Sequence, residues 1–382
     1  MSRVLRVLAP LCAAMLSLVA APLASHASVD PAVVQGGVSY LADQQRSGTD
    51  PTTGSGAWDA SVPGAFNTFD AVLGIAEAAQ TGPTWNTTEA FNAINAFKNA
   101  DNFNPLPYLD LVGAAATTPG RAAKLIVLTA EPLGLSPTAF DPAGDGTPKD
   151  LVAVVGAPMP NGAYAPDVAF SDTLYAALAT KLVGGTIAAT TVQYVRDGQT
   201  SEGSWAYNHD STDTADAEVD TTGLALQTLI AAGVPESDAT VRAGLAYIAE
   251  QQESDGRWMA FGNPSSESTS RALLAVAAAG YDVNSRCWRD TVLPGAASQP
   301  FVGGDAALSS FAQLDGSIAD PTSFGPTYST AQSLEGLLRN WLPVFSGAVQ
   351  TCDVPVVPVV PIAPVNPAAV AVPVSIAPQF TG

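Results

Sequence analysis

The stretches Gln199-Thr200-Ser201-Glu202-Gly203-Ser204-Trp205 and Gln252-Glu253-Ser254-Asp255-Gly256-Arg257-Trp258 share the pattern Gln-x-x-x-Gly-x-Trp. Each copy follows a helix-like run and precedes another. A motif that repeats with its flanks implies repeated architecture. The glycine permits the positive φ of a sharp turn after a helix. The tryptophan offers a large surface to bury against the next outer helix, and its indole N–H needs one acceptor. The glutamine amide, one turn back, can bridge neighbouring units. Gln199, Gly203, Trp205, Gln252, Gly256 and Trp258 are therefore read as structural staples.

Working outward, the pattern extends to six units of outer helix, loop and inner helix. The outer helices are expected at 37–45, 88–99, 150–155, 188–196, 239–252 and 305–313. The inner ones are expected at 68–79, 120–130, 172–182, 220–232, 267–279 and 329–338. Thr68, Thr173, Thr222, Thr269 and Thr330 stand at the heads of Ala/Leu-rich inner runs, where a hydroxyl can cap first-turn amides. Leu226, Leu229 and Ile230 recur at helical spacing, as do Val241, Leu245 and Ile248. The inner runs are apolar nearly all round, as helices buried inside a ring of outer helices should be.

Residues 1–27 read as a cleaved signal peptide: Arg3 and Arg6, an apolar run from Leu8 to Ala21, and Ser25-His26-Ala27. Their removal takes away two arginines and moves the net charge from −20 to −22. No later run outside the proline-rich tail is long and apolar enough to span a bilayer. Such acidity excludes nucleic acid as a partner, because phosphate binding needs a basic face. An exported location, secreted or in the cell envelope, is expected. Cys287 and Cys352 are then an even pair and are expected as a disulfide, worth about 4 kcal/mol in the chain-entropy model. The repeat domain is bounded at residues 28–352. In the tail, 353–382, Pro355, Pro358, Pro361, Pro364 and Pro367 fall at every third position, the period of polyproline II. It reads as a spacer through which a cell-envelope partner could be reached.

The two motif copies, with Arg242, Tyr247 and Ile248 before the second, resemble the prenyltransferase and squalene-cyclase repeat superfamily. The resemblance implies an all-α fold, an (α/α)6 toroid with an axial cavity. It is strong over 188–285 and weak elsewhere. The enzymatic branches of that superfamily need residues not found here in the required pattern. The Asp-x-Asp-Asp acid is missing, and so is the Cys-Gly-Glu-Gln thioester sequence. The prenyltransferase zinc set takes Asp, Cys and His, but His209 is the one histidine left after residue 27 and the two cysteines are expected to be oxidised. No Gly-x-Ser-x-Gly elbow occurs. The cobalamin-carrier branch needs none of these. The expectation is therefore a non-catalytic toroid holding a corrinoid or another large small molecule, with no cofactor of its own. A carrier's second, β-rich domain has no counterpart here. A diverged terpene-cyclase-like or carbohydrate-active enzyme is the first alternative, to be favoured by acids converging in a deep cavity. An adhesion module is the second.

Asp70, Asp172, Asp220 and Glu267 recur near the starts of inner helices, where capping, a ligand rim and an acid–base pair all remain open. Tyr207, Phe261 and Tyr328 are candidates for a stacking surface for a small molecule or glycan at the mouth, with core packing the equal alternative. Asp213, Asp216, Glu218 and Asp220 could offer hard oxygen ligands to calcium. A solvated acidic loop, with Asp220 capping its helix, is the simpler expectation. His209 reads as an exposed lone histidine.

Overall fold

The computed structural model describes residues 29–45, 65–80, 88–90, 92, 93, 106, 109 and 118–339, apart from 143, 145, 216, 296–299 and 321–324. The expected signal peptide, most of the second outer helix, Cys352 and the proline-rich tail lie outside these residues.

The described residues are all-α with two short hairpins. The helices are α1 (Pro31–Gln44), α2 (Ala65–Gln80), α3 (Thr118–Leu125), α4 (Leu151–Val155), α5 (Phe170–Leu182), α6 (Ala189–Asp197), α7 (Val219–Ala231), α8 (Ala239–Glu250), α9 (Ser266–Ala278), α10 (Arg286–Val292), α11 (Gly304–Ser309) and α12 (Pro326–Leu338). A π-helical turn, Ile126–Ala130, continues α3. Strands β1 (Trp205–Ala206) and β2 (Ala217–Glu218) pair antiparallel, as do β3 (Trp258–Ala260) and β4 (Asn263–Ser265).

The inner helices meet in sequence: α2 with α12, α12 with α9, α9 with α7, α7 with α5, α5 with α3, and the π turn of α3 with α2. The contact series closes on itself. Small residues allow the approach. A Cβ on Gly223 would come within 2.8 Å of the Arg271 carbonyl on α9, and one on Gly336 within 2.5 Å of Ser270 Oγ. On α7 the buried set runs from Val219 to Ala231 with little interruption, so this helix has no solvent face.

The motif does the stapling expected of it. Gly203 has φ 88°, and a Cβ there would lie 2.4 Å from the Ala243 carbonyl of α8. Gln199 Nε2 donates to Gly203 O (2.8 Å) and to Thr240 O (2.9 Å) on that same helix. The Trp205 indole donates to Val195 O and the Trp258 indole to Ile248 O. Trp205 packs where Gly244 of α8 leaves room. Gln252 Nε2 closes its own loop on Gly256 O, and Trp258 stacks on Trp288 of α10, centroids 6.5 Å apart.

Three expectations change. Four of the five threonines do not cap their own helices. Thr173, Thr222, Thr269 and Thr330 lie inside the first turn, and their hydroxyls accept the backbone N–H of Tyr164, Trp205, Trp258 and Ile318. They thus tie each loop to the inner helix that follows it. Asp220 does not cap α7, whose N-cap is Glu218. Helix α10, unforeseen in the sequence, fits between the fifth and sixth units and supplies the partner for Trp258. Among the described residues, no helix is long and apolar enough to cross a membrane.

Candidate active site

The N-terminal halves of α2, α5, α7, α9 and α12, with Lys124 and Leu128 from the end of α3 and its π turn, surround a cavity of about 480 Å³, bordered by Ala260, Phe261 and Asn263 of the second hairpin. Its floor is polar. Tyr328, Gln332 and Glu335 stand at i, i+4 and i+7 on α12, one face of a helix, and that face meets Asp70 of α2. Gln332 Nε2 donates to Asp70 Oδ1 (3.2 Å) and to the Tyr328 hydroxyl (2.6 Å). Arg271 of α9 reaches across. Its Nη1 lies 3.6 Å from Glu335 Oε2 and its Nη2 3.9 Å from Asp70 Oδ1. Nη2 also donates to Tyr175 Oη at 3.5 Å.

Burial raises the Asp70 carboxyl above its ordinary range, against the pull of Arg271, Gln332 and Lys124. Glu335 is raised well above its ordinary range, first by burial. Arg271 opposes this, while Asp70 and Glu77 add to it by charge, and Asp70 also through a shared hydrogen bond. Two carboxyls this close to one another cannot both ionise cheaply, so each raises the other's hold on a proton. Burial pushes the Tyr175 phenol up to about 12. Burial disfavours the charge on Arg271, but Tyr175, Glu335, Tyr328 and Asp70 outweigh it and keep the guanidinium ionised.

A second pair lies at the side. Glu267, in the first turn of α9, accepts from Ser329 Oγ (2.5 Å), Ser265 Oγ (3.1 Å) and Ser266 Oγ (3.3 Å). Asp320 Oδ2 accepts from Ser266 N (3.2 Å) and Oγ (3.3 Å). Burial raises Glu267, the serine bond opposes it, and the charge and hydrogen bond of Asp320 raise it further. Asp220, in the first turn of α7, is also raised by burial, despite a bond from Ser268. Its Oδ1 is buried with no hydrogen-bond partner. Five acids line the cavity, namely Asp70, Glu218, Asp220, Glu267 and Asp320, against two cations, Lys124 and Arg271.

Of the residues singled out in the sequence, Asp70, Asp220, Phe261, Glu267 and Tyr328 converge on this cavity. Phe261 is 90% exposed at the hairpin tip, with φ 49°. Two do not converge. Asp172 leans into the space left by Gly120 and pairs with Lys124 at 3.2 Å. Tyr207 sits on the other hairpin, 53% exposed and off the lining. His209 is not a lone exposed ring. It stacks on Tyr194 at 3.8 Å and its Nε2 bonds Tyr194 O. Residues 210–215 form local turns, Asp210 accepting from Thr212 and Asp213 from Ala215. Among the described residues no cluster of three or more His, Cys, Asp or Glu side chains is arranged to hold a metal.

Arg271, Asp320, Gln332 and Glu335 escaped the sequence reading. The signal was there for two of them: Gln332 and Glu335 are polar residues at helical spacing on an otherwise apolar run, and such residues are almost never buried without a partner.

No protein-family model and no curated protein matches this sequence. Among solved structures the chain is similar to the type II terpene cyclase MstE from Scytonema. The apo form has 16% identity and a TM-score of 0.48, over 80% of this chain and 96% of that one. A variant with geranylgeranyl dihydroxybenzoate (substrate) has 16% identity and a TM-score of 0.47, over 80% and 96%. Another with merosterolic acid A (product) has 15% identity and a TM-score of 0.47, over 80% and 95%. The cobalamin-carrier branch finds no support among these cyclases. The expected non-catalytic carrier is corrected by the site itself: Asp70, Asp220, Glu267 and Asp320 converge in one cavity, the arrangement that favours the enzymatic alternative.

Proposed function

We propose that this chain is a general-acid enzyme acting on a hydroxyl-rich small molecule, in the manner of carbohydrate-active enzymes. The observation that carries the reading is the Glu267–Asp320 carboxyl pair opening on an acidic cavity. A protonated Glu267 donates to the leaving oxygen of a glycosidic bond, and the charge left on the pair stabilises the developing oxocarbenium ion. Asp220, with one oxygen unpartnered, is the candidate base or nucleophile. Asn263, Ser171, Thr221 and Gln332 supply donors and acceptors for hydroxyls, and Phe261 a ring for stacking at the mouth.

The test is turnover of a panel of aryl glycosides and reduced oligosaccharides by the full chain and by Glu267→Gln. General acid catalysis contributes about 10² to 10⁴ in rate. Activity lost on that scale in Glu267→Gln, and kept in the exposed-site control Glu202→Gln, supports the reading. No turnover, or turnover indifferent to Glu267→Gln, rejects it.

A second reading is proton-initiated cyclisation of an isoprenoid. The rings of Tyr175 and Tyr328 and the side chains of Leu128 and Leu224 favour it, because they give the cavity an apolar wall. A carbocation, like an oxocarbenium ion, is stabilised by surrounding carboxylates and aromatic faces. Geranylgeranyl dihydroxybenzoate is the probe, with cyclised product the readout. Export, the Cys287–Cys352 disulfide and a cell-envelope partner for the proline-rich tail also stand as proposals. N-terminal sequencing of protein recovered outside the cell tests the first.

A further inference from the structure

Below the cavity floor lies a second, smaller chamber with about 10 Å³ of room, close to the minimum for one water molecule. Leucines and a valine make most of its wall. Three polar groups enter it besides Arg271 and Tyr175: Glu77 of α2, Gln227 of α7 and Glu335 of α12. Gln227 is fully buried, and its Oε1 has no hydrogen-bond partner. Glu335 is buried as well, and its Oε1 also lacks one. Each unmet buried acceptor costs roughly 1–3 kcal/mol, so two such oxygens beside one water-sized space point to a bound donor. Arg271 already supplies positive charge to this space, which disfavours a second cation and favours water.

The placement of the acids gives the water a use. Asp70 and Glu77 are seven residues apart on α2, two turns along one face and roughly 10 Å of rise. Asp70 opens on the cavity and Glu77 on the chamber; Glu335 lines the chamber too and shares Arg271 with Asp70.

We propose that the chamber holds one ordered water between Gln227 Oε1 and Glu335 Oε1, and that Glu335, this water and Glu77 form an internal proton store behind Asp70. Filling and emptying the store needs no redox partner. The Glu335 O–H bond breaks as a bond from that proton to the water oxygen forms, and another proton of the water passes to a Glu77 carboxylate oxygen. The reverse sequence returns a proton to Glu335 and on to Asp70. The store's catalytic use rests on the general-acid reading. The water and the shared proton do not.

The experiment therefore uses no substrate. The groups facing Glu335 are Asp70 and Glu77 from α2, Tyr175 from α5, Arg271 from α9 and Tyr328 from its own helix. Infrared spectra of the full chain, in water and in D₂O, are titrated with pH. The component of the protonated-carboxyl band that disappears in Glu335→Gln reports Glu335. In Glu77→Gln this component persists but titrates at lower pH, because a negative neighbour that held the proton on has gone. A high-resolution crystal structure should show density bridging Gln227 Oε1 and Glu335 Oε1, absent in Gln227→Met. A chamber without density in the parent protein, or a Glu335 titration unmoved by Glu77→Gln, overturns the proposal. Should the glycoside and isoprenoid assays fail while these spectra and this density hold, the general-acid reading falls and the water site stands.

Discussion

Replacing Arg271 by methionine removes a guanidinium that faces both Asp70 and Glu335 and leaves the stem's packing nearly intact. The side chain is only 12% exposed, and its two partners are 4% and 3% exposed. Breaking a buried charge network from one side costs about 3–5 kcal/mol when the remaining charge stays ionised. Here the carboxyls can escape by taking a proton. Each unit of pKa shift is about 1.4 kcal/mol, so protonation caps the loss. The sign follows from linkage. Asp70 and Glu335 already titrate above their unfolded values, and Arg271 is the largest influence lowering both. Without it their folded pKa values rise further. The folded variant then binds more protons than the unfolded chain between the ordinary carboxylate range and the new folded values. Its stability must fall as pH rises through that window. Urea unfolding of parent and Arg271→Met should show a deficit of about 3 kcal/mol at the alkaline end of that window, shrinking toward its acid end. A deficit that stays the same across that range would refute the assignment of Arg271 as the counter-charge to two proton-holding acids.

Gly203 and Gly233 have the same φ, 88°, but only Gly203 has backbone against its missing Cβ. Gly233→Ala should cost about 1 kcal/mol from the left-handed conformation alone, and Gly203→Ala about 1–3 kcal/mol more from overpacking against Ala243. Equal unfolding midpoints for the two variants would remove the motif glycine's stapling role. Phe261→Gly relieves a non-glycine residue at φ 49° and touches no core, so it should raise stability by up to about 1 kcal/mol while raising KM for any glycoside turned over. A lower melting temperature would contradict that. Intact mass before and after alkylation tests the Cys287–Cys352 pair. Two alkylatable thiols in the unreduced native protein would exclude it.

The repeat was legible because it is local. A glycine four residues after a glutamine, and a tryptophan two later, must be solved inside one turn, and the same solution recurs at Gly162, Gly203, Gly256 and Gly316. The site was legible in part. Asp70, Asp220 and Glu267 share a place near the start of an inner helix, so the repeat itself brings them to one region. Asp172 shares that place too, yet it turns to Lys124 because Gly120 leaves a gap beside it. A gap on a neighbouring helix has no signature in the sequence around Asp172. Asp320 sits in the loop before α12, where no helical period could single it out. The threonine hydroxyls were placed correctly on the helices but given the wrong partner. A first-turn threonine can face its own amides or the preceding loop, and only the tertiary packing decides.

The acids also explain why a carrier is the weaker account of this cavity. A binding pocket for an uncharged ligand gains nothing from carboxyls kept away from water, and each one costs stability unless it is paired or protonated. Here Glu267 could be served by its serines alone, three of which reach it. Asp320 adds a like group beside it and makes ionisation harder. The floor repeats the arrangement, with Asp70 set against Glu335 although Arg271 would suffice for either one. Pairing acids with acids strengthens their hold on a proton, which is what a proton donor requires and what adhesion or passive binding does not. The lower turns of the inner helices, largely apolar apart from Glu77, Gln227 and Glu335, bury their alanines and leucines to offset what this polar end gives up.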